Sequence, residues 1–236
     1  MSLPKLNTPT YELKLSSIKE PVKYRPFLVK EEKLMMIASE TGDEKNIINS
    51  VVETVGACTF NKLDLDKIPM YDIELLFLNI RAKSVGEVIK VNVTCPDDMK
   101  TTVVKEINIK DVKIIKNDNH KDVVKINDTV KLVLKHPTLS VTKLIKKGDA
   151  EDVFKILPSC IKTVYDGEKM IEDFTHQEAE DFINNLSSEQ FKSLQDFFMT
   201  MPKLKHDVEV ENPNTKVKST VSLCLLYTSP SPRDAS

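Results

Sequence analysis

Tyr11, Leu13 and Leu15 alternate with Glu12 and Lys14, the period of a strand. Val22 and Tyr24, with Phe27 beyond Pro26, predict a second short strand. The two read as an opening hairpin, with Pro26 at a strand edge or end. The period then becomes helical. A helix over residues 29–39 puts Leu34, Ile37 and Ala38 on one side and stops at Thr41-Gly42. Asp43 is placed to cap a second helix, on which Ile47, Ile48, Val51, Val52 and Val55 recur at helical spacing. A third is predicted over residues 69–83, with Pro69 in its first turn and Ile73, Leu76, Phe77 and Ile80 on its apolar face.

From residue 88 to 115 the chain is rich in Val, Ile, Thr and Lys. Val91 and Val93 lead into Cys95-Pro96-Asp97-Asp98, which is turn chemistry, and the strand pattern returns over residues 101–107. Residues 112–115, 123–126 and 130–134 are further strand candidates, in a small antiparallel region ending at His136-Pro137. From Leu139 to Met201 the pattern is helical again. Leu139 and Ile145 lead to a break at Gly148, and one helix is expected over residues 150–164, kinked or ended early by Pro158. Thr175-His-Gln-Glu178 and Ser187-Ser-Glu-Gln190 are capping boxes, each opening a helix with an apolar face. Val208, Val210, Val217 and Val221 flank Asn212-Pro-Asn-Thr215 and predict a terminal hairpin. The expected fold class is α+β, with helices grouped around a small antiparallel sheet and peripheral β-hairpins. The expected organisation is 1–87, an N-terminal hairpin plus three helices; 88–136, a Lys-rich β region; 137–202, an acidic helical region; and 203–223, a C-terminal hairpin.

The 236 residues carry 34 Lys+Arg against 36 Asp+Glu, a balance that argues against a dedicated nucleic-acid or anionic-membrane binder. Charge is segmented all the same. Residues 100–147 hold 12 Lys and 5 acidic residues, net +7; residues 149–196 hold 4 Lys and 12 acidic residues, net −8. The bland interpretation is two solvated faces. The sharper one is a dipolar protein docking through charged surfaces, with Lys143, Lys146 and Lys147 at the junction of the two segments. The Lys-rich segment has few aromatics and no Arg, which serves neither base stacking nor bidentate phosphate recognition. No apolar run approaches the roughly 18 residues of a membrane span.

Candidate chemistry is sparse. Four widely spaced cysteines, at 58, 95, 160 and 224, fit a reducing compartment without a disulfide framework. At the predicted tip beginning with Cys95, Asp98 takes the place where a zinc knuckle would need its second thiolate, so a plain turn is expected. His120, His136, His176 and His206 are scattered and predict surface or capping roles; Cys58 and Cys160 end apolar helical segments and predict small buried hydrophobes. No nucleophile-elbow, H-E-x-x-H or phosphate-loop pattern occurs. The sequence therefore points to no catalytic residue, no cofactor and no metal.

Eleven residues, Cys224–Asp234, back-translate to a string that looks like a transposase adaptor used in sequencing libraries. On that reading residues 224–236 are an assembly scar to be set aside from the fold, and the natural chain is expected to continue past Leu223.

Four long segments carry a family resemblance. They are Leu3 to Leu13, Lys23-Tyr-Arg-Pro-Phe-Leu-Val-Lys-Glu-Glu-Lys-Leu34, Ile68-Pro-Met-Tyr-Asp-Ile-Glu-Leu-Leu-Phe-Leu-Asn-Ile-Arg-Ala-Lys-Ser-Val-Gly86 and Phe197-Phe-Met-Thr-Met-Pro-Lys-Leu-Lys-His206. They resemble the baseplate proteins of T-even-type contractile-tailed bacteriophages, the baseplate hub subunits or hub assembly chaperones. The resemblance implies tail morphogenesis in a bacterial host, other phage baseplate and hub proteins as partners, and no known catalysis. It also implies no small-molecule substrate, and a location in the virion tail baseplate or the host cytoplasm during assembly. Tyr24, Phe27 and Tyr71, within those segments, are apolar anchors that could serve an interface, as are Met70, Phe77 and Phe198. Two other readings stand beside this one: a protein-binding adaptor module unrelated to virions, and a small hydrolase with an unrecognised site.

Overall fold

The computed structural model describes residues 7–142 and 150–223. In chain order the elements are β1 (Tyr11–Leu13), β2 (Val22–Tyr24), α1 (Val29–Thr41), α2 (Glu44–Cys58), α3 (Met70–Val85), β3 (Val88–Thr94), β4 (Thr102–Asn108), β5 (Lys113–Ile115), β6 (Val123–Lys125), β7 (Val130–Leu134), α4 (Leu139–Thr142), α5 (Ala150–Cys160), β8 (Ile161–Asp166), β9 (Lys169–Ile171), α6 (His176–Asn184), α7 (Ser188–Thr200), β10 (Lys203–Glu211) and β11 (Lys218–Leu223). The chain is α+β. Its described strands form four small sheets, ordered β1-β2, β11-β10-β5, β3-β4 and β6-β7-β8-β9.

The chain divides into two compact units. The first takes the residues up to Leu65, Tyr71–Ile115 and the residues from Leu204 onward. Its core joins Ile89, Val91 and Val93 of β3 to Ile107 of β4, Leu78 of α3 and Val210 of β10. Strand β3 alternates strictly between exposed and buried positions, so one face of this hairpin is core and the other is solvated. The second unit takes Asp66–Met70 and Lys116–Lys203. Its core gathers Leu132 and Leu134 of β7, Leu157 of α5, Ile183 of α6, and Leu194 and Phe197 of α7.

Local signals act as the sequence predicts. Gly42 ends α1 at φ 65°, a left-handed conformation that costs glycine least. The Asp43 carboxylate accepts from the Lys45 N–H at 3.1 Å and starts α2. Both capping boxes close: Thr175 N–H donates to Glu178 at 2.7 Å, and Ser187 N–H donates to Gln190 at 2.9 Å. Asp72, fully buried in the first turn of α3, accepts from Ser17 N–H at 2.8 Å and from the N–H and hydroxyl of Ser16, tying the opening hairpin's connection to that helix.

Two expectations need correction. On α1, Ala38 is buried but Ile37 is 52% exposed and does not serve the core side. The single helix expected over residues 150–164 ends at Cys160, and Ile161–Asp166 is a strand paired with β7. Lys135 N–H donates to the Cys160 carbonyl at 2.8 Å, so the ladder takes over where the helix stops. Pro158 has already removed one helical donor, and the β-branched Ile161, Thr163 and Val164 suit a strand. The Asp166-Gly167 turn then returns the chain as β9, a strand that the helical pattern concealed.

Candidate functional site

The apolar anchors proposed from sequence separate by burial. Tyr24 is 3% exposed, with its ring 5.7 Å from that of Tyr11, so it is a core residue instead of a docking anchor. Phe27 and Tyr71 are half-buried, and Phe27 N–H donates to Ser84 Oγ at 2.9 Å. Lys143, Lys146 and Lys147 lie outside the described residues. Sequence reasoning missed the outer face of α1, where Val29 is 79% exposed, Ile37 52% and Met36 44%. Spaced seven and eight residues apart, these side chains share one helix face.

Beside that helix, Arg25 and Glu31 form a buried ion pair, Nη2 to Oε1 at 2.9 Å. Arg25 also donates to the Pro26 carbonyl at 2.9 Å, and Glu31 accepts from Leu28 N–H at 2.8 Å. Burial pushes the Glu31 carboxyl up, but the hydrogen bonds from Arg25 and Leu28 and the nearby cations outweigh it and hold the group below its ordinary value. Burial raises the neighbouring Cys58 thiol to about 11, against the opposing pull of Arg25, and the Cys160 thiol to about 12. Neither thiol is a nucleophile at neutral pH.

The Cys95 tip is more than a plain turn. Asn212 Nδ2 donates to both Asp97 oxygens and to Asp98 Oδ2, each at 3.0 Å, while Asn212 Oδ1 accepts from Asn214 N–H at 2.9 Å. Thr215 Oγ1 donates to Asp97 as well. The bond from Asn212, with that from Thr215, lowers the pKa of Asp97. The acidic pair is thus spent on fastening the β3–β4 tip to the β10–β11 turn.

In the second unit the fold brings together residues that sequence reasoning scattered. His120 Nε2 lies 3.0 Å from His136 Nε2 and 3.4 Å from Asp122 Oδ1, and His136 Nε2 lies 4.0 Å from the same oxygen. The two imidazoles stack at 5.2 Å between centroids, and Phe197 lies 4.9 Å from His120 and 5.6 Å from His136. His120 ends a turn closed by its N–H donating to the Asn117 carbonyl at 2.9 Å, and Leu134 N–H holds the Asp122 carbonyl at 2.8 Å. The local signal, His120-Lys-Asp122, is too common to read without the fold. This trio could hold a metal ion. An apolar cavity of about 150 Å³ lies elsewhere in this unit, lined by Ile161, Val164, Ile171, Phe174 and Phe182 together with Glu178, whose carboxylate is already committed to capping α6.

Among the described residues no helix is long and apolar enough to cross a membrane. The molecule is an α+β protein of two small units, with an apolar helix face outside and polar clamps within. The chain belongs to the family described as T4 bacteriophage base plate protein, which matches residues 8–226. No curated protein and no solved structure matches it.

Proposed function

We infer that the chain is a structural or assembly protein of a phage tail baseplate hub, acting without catalysis through contacts with other baseplate proteins during tail morphogenesis. The family match over residues 8–226 carries this reading. The exposed Val29, Met36 and Ile37 support contact as its mode of action, since interfaces seat apolar anchors within polar rims. The opposed charge of residues 100–147 and 149–196 supplies steering, and Lys143, Lys146 and Lys147 are its cationic junction. Its place is the virion baseplate or the host cytoplasm during assembly. Co-purification with hub proteins at low and high salt tests the reading in three chains: the parent, a Val29/Met36/Ile37 to Ser triple variant, and a Lys143/Lys146/Lys147 to Glu triple variant. Recovery is expected to fall in both variants and to fall with salt in the parent. Equal recovery in every sample would remove docking through these surfaces.

A further inference from the structure

We propose that His120, His136 and Asp122 form a three-ligand site for a divalent transition-metal ion of the zinc class. The proposal stands independently of the baseplate reading. Its first support is spacing. Zinc bound at about 2.0–2.1 Å sets tetrahedral ligand atoms about 3.4 Å apart. The three ligand atoms here are separated by 3.0, 3.4 and 4.0 Å.

The second support is the tautomer. Thr200 Oγ1 donates its proton to the Asp196 carbonyl of α7 at 2.7 Å. Only its lone pairs are left for His120 Nδ1, 3.0 Å away, so Nδ1 carries the ring's proton. In the neutral ring Nε2 then holds a lone pair, and that lone pair faces His136 Nε2 and the Asp122 carboxylate. Acceptors converging on one point call for a cation between them. An outer N–H held by a protein oxygen is also how metal-ligating histidines are oriented. The third support is access. The imidazoles are mostly buried, with side chains 11% and 19% exposed, while the Asp122 side chain is 62% exposed and leaves an entry path and room for a fourth, solvent ligand. Two nitrogens and one oxygen suit zinc better than magnesium or calcium, which take oxygen donors. The bound ion would pin the His120 turn to the His136 segment beneath α7.

The competing account is a proton shared between two stacked histidines. Untagged full-length protein is stripped with a chelator and titrated with zinc ion, and metal content and thermal midpoint are read. A Cys224→Ser background keeps that thiol out of the readout, and His176→Gln is the off-site control. One zinc per chain is expected, with a midpoint that rises with zinc and returns on chelation. His120→Gln and His136→Gln should lose the ion. Asp122→Asn, at an exposed side chain that folding does not depend on, should weaken it at least about tenfold. Midpoints measured in chelator show whether each variant folds; if a histidine variant does not, Asp122→Asn decides. A parent that retains no zinc, or zinc bound equally well by any folded variant of the trio, would overturn the assignment.

Discussion

The side-chain amide of Asn212 donates to both carboxylate oxygens of Asp97, 115 residues away in the chain, at 3.0 Å each. Asn212 is fully buried, so nothing else can take its place. Asn212→Ala is expected to lower stability by about 1–3 kcal/mol, because it leaves Asp97 and the turn donors of Asn214 and Thr215 without their partner. Urea unfolding of N212A, D97A and the double variant measures this. Strict additivity of the two single effects would show that the clamp contributes nothing.

Arg25 and Glu31 should behave as a unit. Arg25→Met or Glu31→Gln alone leaves a buried charge unpaired and is expected to cost about 3–5 kcal/mol, whereas replacing both by apolar residues should cost less than either single change. The Glu31 carboxyl is held below its ordinary 4.5 in the folded state. Its stabilisation is therefore present above the unfolded value and is lost as pH falls through the folded one. Glu31→Gln should flatten that acid limb in a stability-versus-pH series.

Glu74 should act with the opposite sign. It is 8% exposed on α3, and burial raises its carboxyl to about 7. The folded state thus holds a proton that the unfolded chain releases near 4.5, so stability falls as pH rises from about 4.5 to about 7. Glu74→Gln should abolish that fall and be more stable than the parent at pH 8 by up to about 3 kcal/mol. Parallel pH curves for the two proteins would contradict the assignment.

The capping boxes offer a local comparison. Thr175→Ala and Ser187→Ala are each expected to cost about 1 kcal/mol, a drop of roughly 2–4 °C in thermal midpoint for a chain of this size. Substitution by Gly should cost only a few tenths of a kcal/mol. Equal losses for Ala and Gly would mean that the caps act through something other than the freed N–H groups.

What residues within about four positions of one another decide was legible in the sequence. The Gly42 stop, the Asp43 cap, both capping boxes and the three hairpins flagged by turn residues are hydrogen-bonded or conformational choices made inside one turn. Pairing between distant segments was not legible. Residues 161–164 continue a helical apolar spacing, yet they become β8 because β7 offers a ladder nearly thirty residues upstream, and a partner strand leaves no mark on the local period. The burial of Tyr24, the exposure of Ile37 and the grip of Asn212 on Asp97 were settled in the same way, by which faces the packed elements cover. His120 and His136 stand 16 residues apart and read singly as surface groups; only the fold stacks them on Phe197 beside Asp122. Local hydrogen bonds form within a single turn of chain, whereas a site built from separate segments exists only once the core has fixed their distances.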